Sequence, residues 1–312
     1  MAFSKMRRFL IGSPIHSAHQ HHELIPKWKA LPVLAADALS SVAYATEEVV
    51  IPLALAAATI PFATHWLMPI AAAIVLLMFI VAMSYRETIQ AYPQGGGAYI
   101  VVKENLGQGA GLVAGAALLI DYILTVAVSV SAGVENLISA FPQLASVQIF
   151  FCVWIILILM TLNLRGIGES STVFAIPTYF FIFSMGVLII NGIINNPHQG
   201  VNPVIDAVET NYPEIGLILI LKAFSSGCAA LTGIEAVSDA VPLFKEPKAK
   251  NARTTLMLMV GILATLFFGI SYLVYAHNIT HVEGVTLISQ LNKLIFNNGW
   301  MFYVLQVAVV LI

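Results

Sequence analysis

The chain is 312 residues long, 59% hydrophobic and only 10% charged, with a net charge of −2 and a mean hydropathy of +0.89. Soluble domains carry about 25% charged residues, so this composition excludes an ordinary soluble enzyme, and the slight negative charge argues against a nucleic-acid partner. Strand alternation is nowhere sustained, whereas uncharged runs of spanning length recur, which predicts an all-α integral membrane protein.

Residues 1–29 read as a cytoplasmic tail and 30–312 as a transmembrane transport domain. The tail is basic but lacks a short apolar core followed by small residues, so no cleaved signal peptide is expected. Its segment Met6–Ile11 suits the anionic inner leaflet, while His16, His19, His21 and His22 read as a solvated linker rather than a metal site. Seven spans follow, at roughly 30–59, 66–85, 109–140, 148–164, 171–195, 215–243 and 254–276. From Gly299 the chain turns apolar again and stops at Ile312, short of the about 20 residues a membrane helix needs, so a longer parent with a completed second repeat is expected. The cysteines, Cys152 and Cys228, both fall in apolar spans and imply no disulfide framework.

The basic residues set the orientation. Lys5, Arg7, Arg8, Lys27 and Lys29 precede the first span, Arg86 and Lys103 flank the second connection, and Arg165 lies in the fourth. Lys245, Lys248, Lys250 and Arg253 fill the sixth. An N-terminus in the cytoplasm puts all of these inside, leaving only Lys222 and Lys293 elsewhere.

Two spans read as broken. In the first, Pro32 and Pro52 bracket the small, hydroxylated stretch from Ser40 to Thr46; the sixth carries Ser225-Ser226-Gly227-Cys228-Ala229-Ala230-Leu231-Thr232-Gly233. Laying Ser40 on Cys228 brings Tyr44 onto Thr232 and Glu47 onto Glu235. Discontinuous first and sixth spans are the mark of a five-helix inverted-repeat transporter fold, with substrate held at the breaks.

Carboxylates stand inside these spans: Asp37 in the first, Asp121 in the third and Glu235 in the sixth. An ionisable group at membrane depth costs on the order of 3 kcal/mol and marks a functional site by default, although a single one can also serve helix assembly. Asp121, Thr125 and Ser129 recur at four-residue intervals on one helix face, beside Tyr122. Asp37 and Tyr44 lie two turns apart if their helix is intact, and Thr232 precedes Glu235 by three. All are hard oxygen donors, which suit an alkali cation better than a transition metal. Glu47, Glu48, Glu135 and Asp239 lie nearer the span ends and read as interfacial or gating groups. The run Tyr92-Pro93-Gln94-Gly95-Gly96-Gly97-Ala98-Tyr99 has neither a preceding strand nor a following Gly-Lys-Ser/Thr, so it is a re-entrant gate element or a tight turn, not a nucleotide loop.

These segments resemble a known family. Asp37-Ala-Leu-Ser-Ser-Val-Ala-Tyr44-Ala-Thr-Glu is similar to the first helix of the KUP potassium-uptake family, within the amino acid–polyamine–organocation superfamily, and most resembles its bacterial KimA-type members. The glycine run, Asp121-Tyr-Ile-Leu-Thr-Val-Ala-Val-Ser129 and Lys222–Glu235 look like the motifs of the same transporters. The resemblance implies proton-driven potassium import, with K⁺ near Asp37, Tyr44, Asp121, Tyr122, Thr125, Ser129 and Thr232. Of these, Asp37, Asp121, Thr125 and Thr232 are its expected ligands. It makes Glu235 the candidate proton carrier and implies no cofactor beyond the transported K⁺ and H⁺. Membrane lipid surrounds such proteins, which are homodimers whose C-terminal cytoplasmic domain can bind cyclic di-AMP; those two expectations attach to a full-length protein carrying that domain. The rival is an amino-acid or organic-cation permease on the same scaffold. Against the amino-acid form, residues 33–50 contain no glycine, and Asp37 would repel a substrate carboxylate. A sensor that binds a cation without moving it is a further alternative. No nucleophile–base arrangement suggests an enzyme.

Overall fold

The computed structural model describes residues 24–57, 63–164, 167–195, 216–297 and 299–312. The histidine-rich and leaflet-binding stretches of the tail lie outside the described residues. The long helices are α1 (Lys27–Ala57), α2 (Leu67–Ala91), α4 (Gln108–Ala140), α5 (Gln148–Asn163), α6 (Ile167–Asn195) and α9 (Lys248–Ala276). A short helix, α3 (Gly97–Leu106), stands between α2 and α4, and another, α10 (Leu287–Phe296), stands between α9 and α11 (Trp300–Leu311). The sixth span is assembled from α7 (Leu217–Gly227), a 3₁₀ turn at Cys228–Leu231 and the single turn α8 (Ala236–Asp239). Among the described residues seven helical segments are long and apolar enough to cross a membrane, and β structure is limited to isolated bridges.

Helices outrun the apolar spans where their ends reach water. The second continues six residues past Tyr85 and the seventh begins six residues before Thr254, because helical hydrogen bonds are local and do not require hydrocarbon. The two polar extensions meet where Arg253 donates to Gln90 Oε1 at 2.8 Å.

The first span is not broken, and the expected discontinuity at 40–46 is corrected: α1 runs as one helix from Lys27 to Ala57 with both prolines inside it. The hydroxyls that suggested a break bond back along the helix instead, Ser40 Oγ to the Asp37 carbonyl at 2.7 Å and Ser41 Oγ to the same carbonyl at 3.3 Å. With no glycine between 33 and 50, no residue there enters left-handed backbone cheaply. Pro32 removes a helical donor and leaves the carbonyl of Trp28, four residues before, without its intrahelical partner. The hydroxyl of Tyr179 on α6 fills that vacancy at 2.8 Å.

The sixth span breaks as expected. The 3₁₀ turn ends at Thr232, and Gly233 takes φ +80°, a left-handed conformation that side-chain-bearing residues avoid. α1 and the sixth span run antiparallel: Ile25 exchanges backbone hydrogen bonds with Leu243 and Lys245, Gly233 packs on Ala38, and Gly227 packs on Val49. The core lies along this pair and α9, with Leu39, Val49, Leu53, Ile74, Met78, Phe244, Leu256 and Phe267 fully buried. A buried hydroxyl pair, Thr46 and Ser271 at 3.1 Å, ties α1 to α9.

Candidate functional site

The break in the sixth span sets the geometry. A Cβ on Gly233 would lie 2.9 Å from both Asp37 Oδ2 and the Ala38 nitrogen, so only glycine lets the strained backbone touch the Asp37 carboxylate. One turn further along α1, Ser41 Oγ sits 2.9 Å from Thr232 Oγ1 and 3.1 Å from the Tyr44 hydroxyl. Ser41 is fully buried and Thr232 also bonds to the Ala229 carbonyl. Asp37, Tyr44 and Thr232 are therefore drawn together, with Ser41 as their common neighbour. The intact helix places Asp37 and Tyr44 on one face, as their seven-residue spacing allows.

The third span reaches the same place through Ser129, whose Oγ is 3.0 Å from Ser40 Oγ. Thr125, 8% exposed, lies one turn before it on the same face, and Asp121 one turn before that. Asp121 is close enough to Asp37 and Glu235 for their charges to interact. The carboxylates do not close into one tight shell, since no three Asp, Glu, His or Cys side chains among the described residues are grouped to hold a metal ion. The bridging between spans is done by hydroxyls, neutral oxygens of the sort that surround an alkali cation.

Glu235, 8% exposed, leaves Oε1 buried without a hydrogen-bond partner. A buried carboxylate oxygen in that state calls for a proton or a cation. Tyr122 departs from the cluster: its hydroxyl donates to Asp239 Oδ2 at 2.8 Å, towards the end of the sixth span. Asp239 in turn sits against the glycine run, where its carbonyl accepts from the Gly96 N–H at 3.4 Å. That run is both a turn and a packed element, with Gly95 donating to the Tyr92 carbonyl at 3.0 Å before α3 begins.

Sequence reasoning did not single out Ser40 and Ser41 as site residues. The signal was available, since two adjacent hydroxyls one turn after Asp37 present one to the third span and one to the sixth. Their small, hydroxylated surroundings suggest unwinding instead.

The family model for amino acid permeases matches residues 28–312. The chain is also 45% identical over 307 residues, 97% of its length, to the potassium transporter KimA of Bacillus subtilis (strain 168). That match bears out the resemblance to KimA-type transporters and covers 50% of the relative, so the chain spans about half the length of the curated relative it matches. With seven helices among the described residues long and apolar enough to cross a membrane, the chain is a multi-pass membrane protein of a permease family.

Proposed function

We propose that this chain, which belongs to the amino acid permease family, carries the cation-binding half of a potassium importer driven by proton symport. The observation that supports this most is the contact between Gly233 and the Asp37 carboxylate, flanked by Ser41, Tyr44 and Thr232. A dehydrated K⁺ needs several oxygen ligands to replace its water, and a fixed negative charge to offset the loss of hydration. Asp37 supplies the charge. Tyr44, Thr232, Thr125 and Ser129 supply neutral oxygens, and Asp121 adds attraction from the third span.

Glu235 follows Thr232 within one turn and carries the proton. With the cation site filled, a proton on Glu235 keeps the buried pocket near neutrality; once the cation leaves, the proton follows down its gradient. Tyr122 serves at the exit side rather than in the innermost shell, given its bond to Asp239. The antiparallel packing of the first and sixth spans supports an inverted-repeat scaffold, in which a fixed midplane site opens to either side in turn. The name of the relative favours potassium over the amino acids for which the family is named, and the carboxylates favour a cation over a zwitterion's carboxylate.

The test is rubidium tracer uptake by the full-length protein in proteoliposomes, with and without an inward proton gradient. Gradient-stimulated uptake that K⁺ competes and amino acids do not is the expected result. Amino-acid uptake without cation flux overturns the reading in favour of the permease, and binding without any flux turns it to a sensor.

A further inference from the structure

The two short helices occupy matching places in the chain: α3 follows the second span, and α10 follows the seventh. The N-terminus of each meets a carboxylate from the other half of the chain. At α10, the Leu287 N–H donates to Glu47 Oε2 at 3.3 Å, and His281 Nδ1 lies 3.1 Å from Glu47 Oε1. At α3, the backbone of Gly97 is pressed so closely on Asp239 Oδ1 that a side chain there would have no room, and Oδ1 accepts no hydrogen bond, while Tyr122 donates to Oδ2. The first turn of a helix carries partial positive charge, so both carboxylates are attracted there, Glu47 through a hydrogen bond and Asp239 by charge and packing without one.

Their positions give them meaning. Ile25 pairs with Leu243 and Lys245, Ala38 with Gly233, and Val49 with Gly227. Along this antiparallel pair Glu47 lies near the Gly227 end and Asp239 near the Ile25 end, with Asp37, Ser41 and Thr232 between them. The two carboxylates therefore stand on opposite sides of the candidate site. Each also ties more than its helix. The segment clamped by Glu47 is joined to the third span by Thr286, whose N–H donates to Ser139 Oγ at 3.0 Å and whose hydroxyl donates to Asn136 Oδ1 at 2.9 Å. Asp239 is joined to the third span through Tyr122.

We propose that Glu47 and Asp239 are paired latches, each holding one short helix closed over one end of the cation path. The proposal rests on the transport reading of the same site. Both contacts are present together in this structure. Release of one while the other holds admits the cation from one side only, as alternating access demands. Glu47 and Asp239 are thus positioning residues that act through α10 and α3.

Cys228, half-buried at the break in the sixth span, is a built-in reporter. The full-length protein, with its other cysteines replaced, is treated with an impermeant cationic thiol reagent in intact cells and in inside-out vesicles. Glu47→Ala is expected to raise the Cys228 labelling rate about tenfold from the outside alone, the shift one lost charge-assisted hydrogen bond produces in an open–closed equilibrium. Asp239→Ala is expected to do the same from the cytoplasmic side alone, and Glu47→Gln to restore part of the outer closure. Should Glu47→Ala fail to insert, His281→Ala removes the Glu47 Oε1 contact beside the same helix and is expected to raise the outside labelling in the same direction, to a smaller extent. Faster labelling from both sides in either variant, from the same side in both, or no change in either overturns the proposal. Labelling requires no potassium flux, so failure of the transport reading and failure of the latches are told apart.

Discussion

At the residue scale, Ser41 holds more of the candidate site together than either carboxylate beside it. It is fully buried and lies within hydrogen-bond distance of both Tyr44 and Thr232. Ser41→Ala removes this bridge and leaves two half-buried hydroxyls short of a partner. Each unmet bond costs about 1 kcal/mol, so the expected result is a several-fold weaker apparent affinity for rubidium, with membrane insertion unchanged. Glu235→Gln keeps the shape and removes the titrating group; uptake by this variant is expected to lose its dependence on the proton gradient, and a gradient response equal to the parent's would exclude Glu235 as the carrier. The carboxylates were legible in the sequence because charge inside an apolar run is rare. Ser41 was not, because a serine in a helix has several uses and only the partner from another span decides between them. Tyr122 shows the converse: its neighbours suggested the midplane, but its hydroxyl reaches Asp239.

At the scale of elements, the first and sixth spans carry similar small, polar stretches and fold differently. Glycine decides the outcome. Gly233 takes φ +80° and packs on Asp37, whereas α1 has no glycine near its serines and stays whole. Gly233→Ala is expected to destabilise the break by about 1–2 kcal/mol from backbone strain alone, with further loss from the clash, and to abolish uptake. Gly261, inside α9 with open space around it, is the control. Gly261→Ala should stabilise by roughly 0.5–1 kcal/mol without touching transport. Melting temperatures in detergent check both signs. Span existence and order were legible from hydropathy alone, since bilayer thickness fixes the length of an apolar run. The helix ends and the continuity of α1 were not, because they depend on water at the ends and on hydrogen bonds that close locally.

At the scale of the molecule, the apolar surface is a consequence of the solvent. Leu119, Ile120, Ile123 and Leu124 on the third span and Phe150, Val153 and Trp154 on α5 are exposed in this chain, which hydrocarbon tolerates and water would not. The charge bias predicts that the tail and the connection around Lys245–Arg253 share the cytoplasmic side. Protease sites placed in both should be cut in inside-out vesicles and spared in intact cells; the reverse pattern would invert the orientation and exchange the sides assigned to the two latches.

We assign potassium to the oxygens gathered around Asp37 and Thr232. Equilibrium rubidium binding to the full-length protein, parent against Asp37→Asn, tests it most directly. The expected result is binding by the parent that K⁺ displaces and amino acids do not, reduced at least about tenfold in the variant, the scale of one lost charge at a partly buried site. Undiminished binding by Asp37→Asn would place the cation elsewhere in the protein.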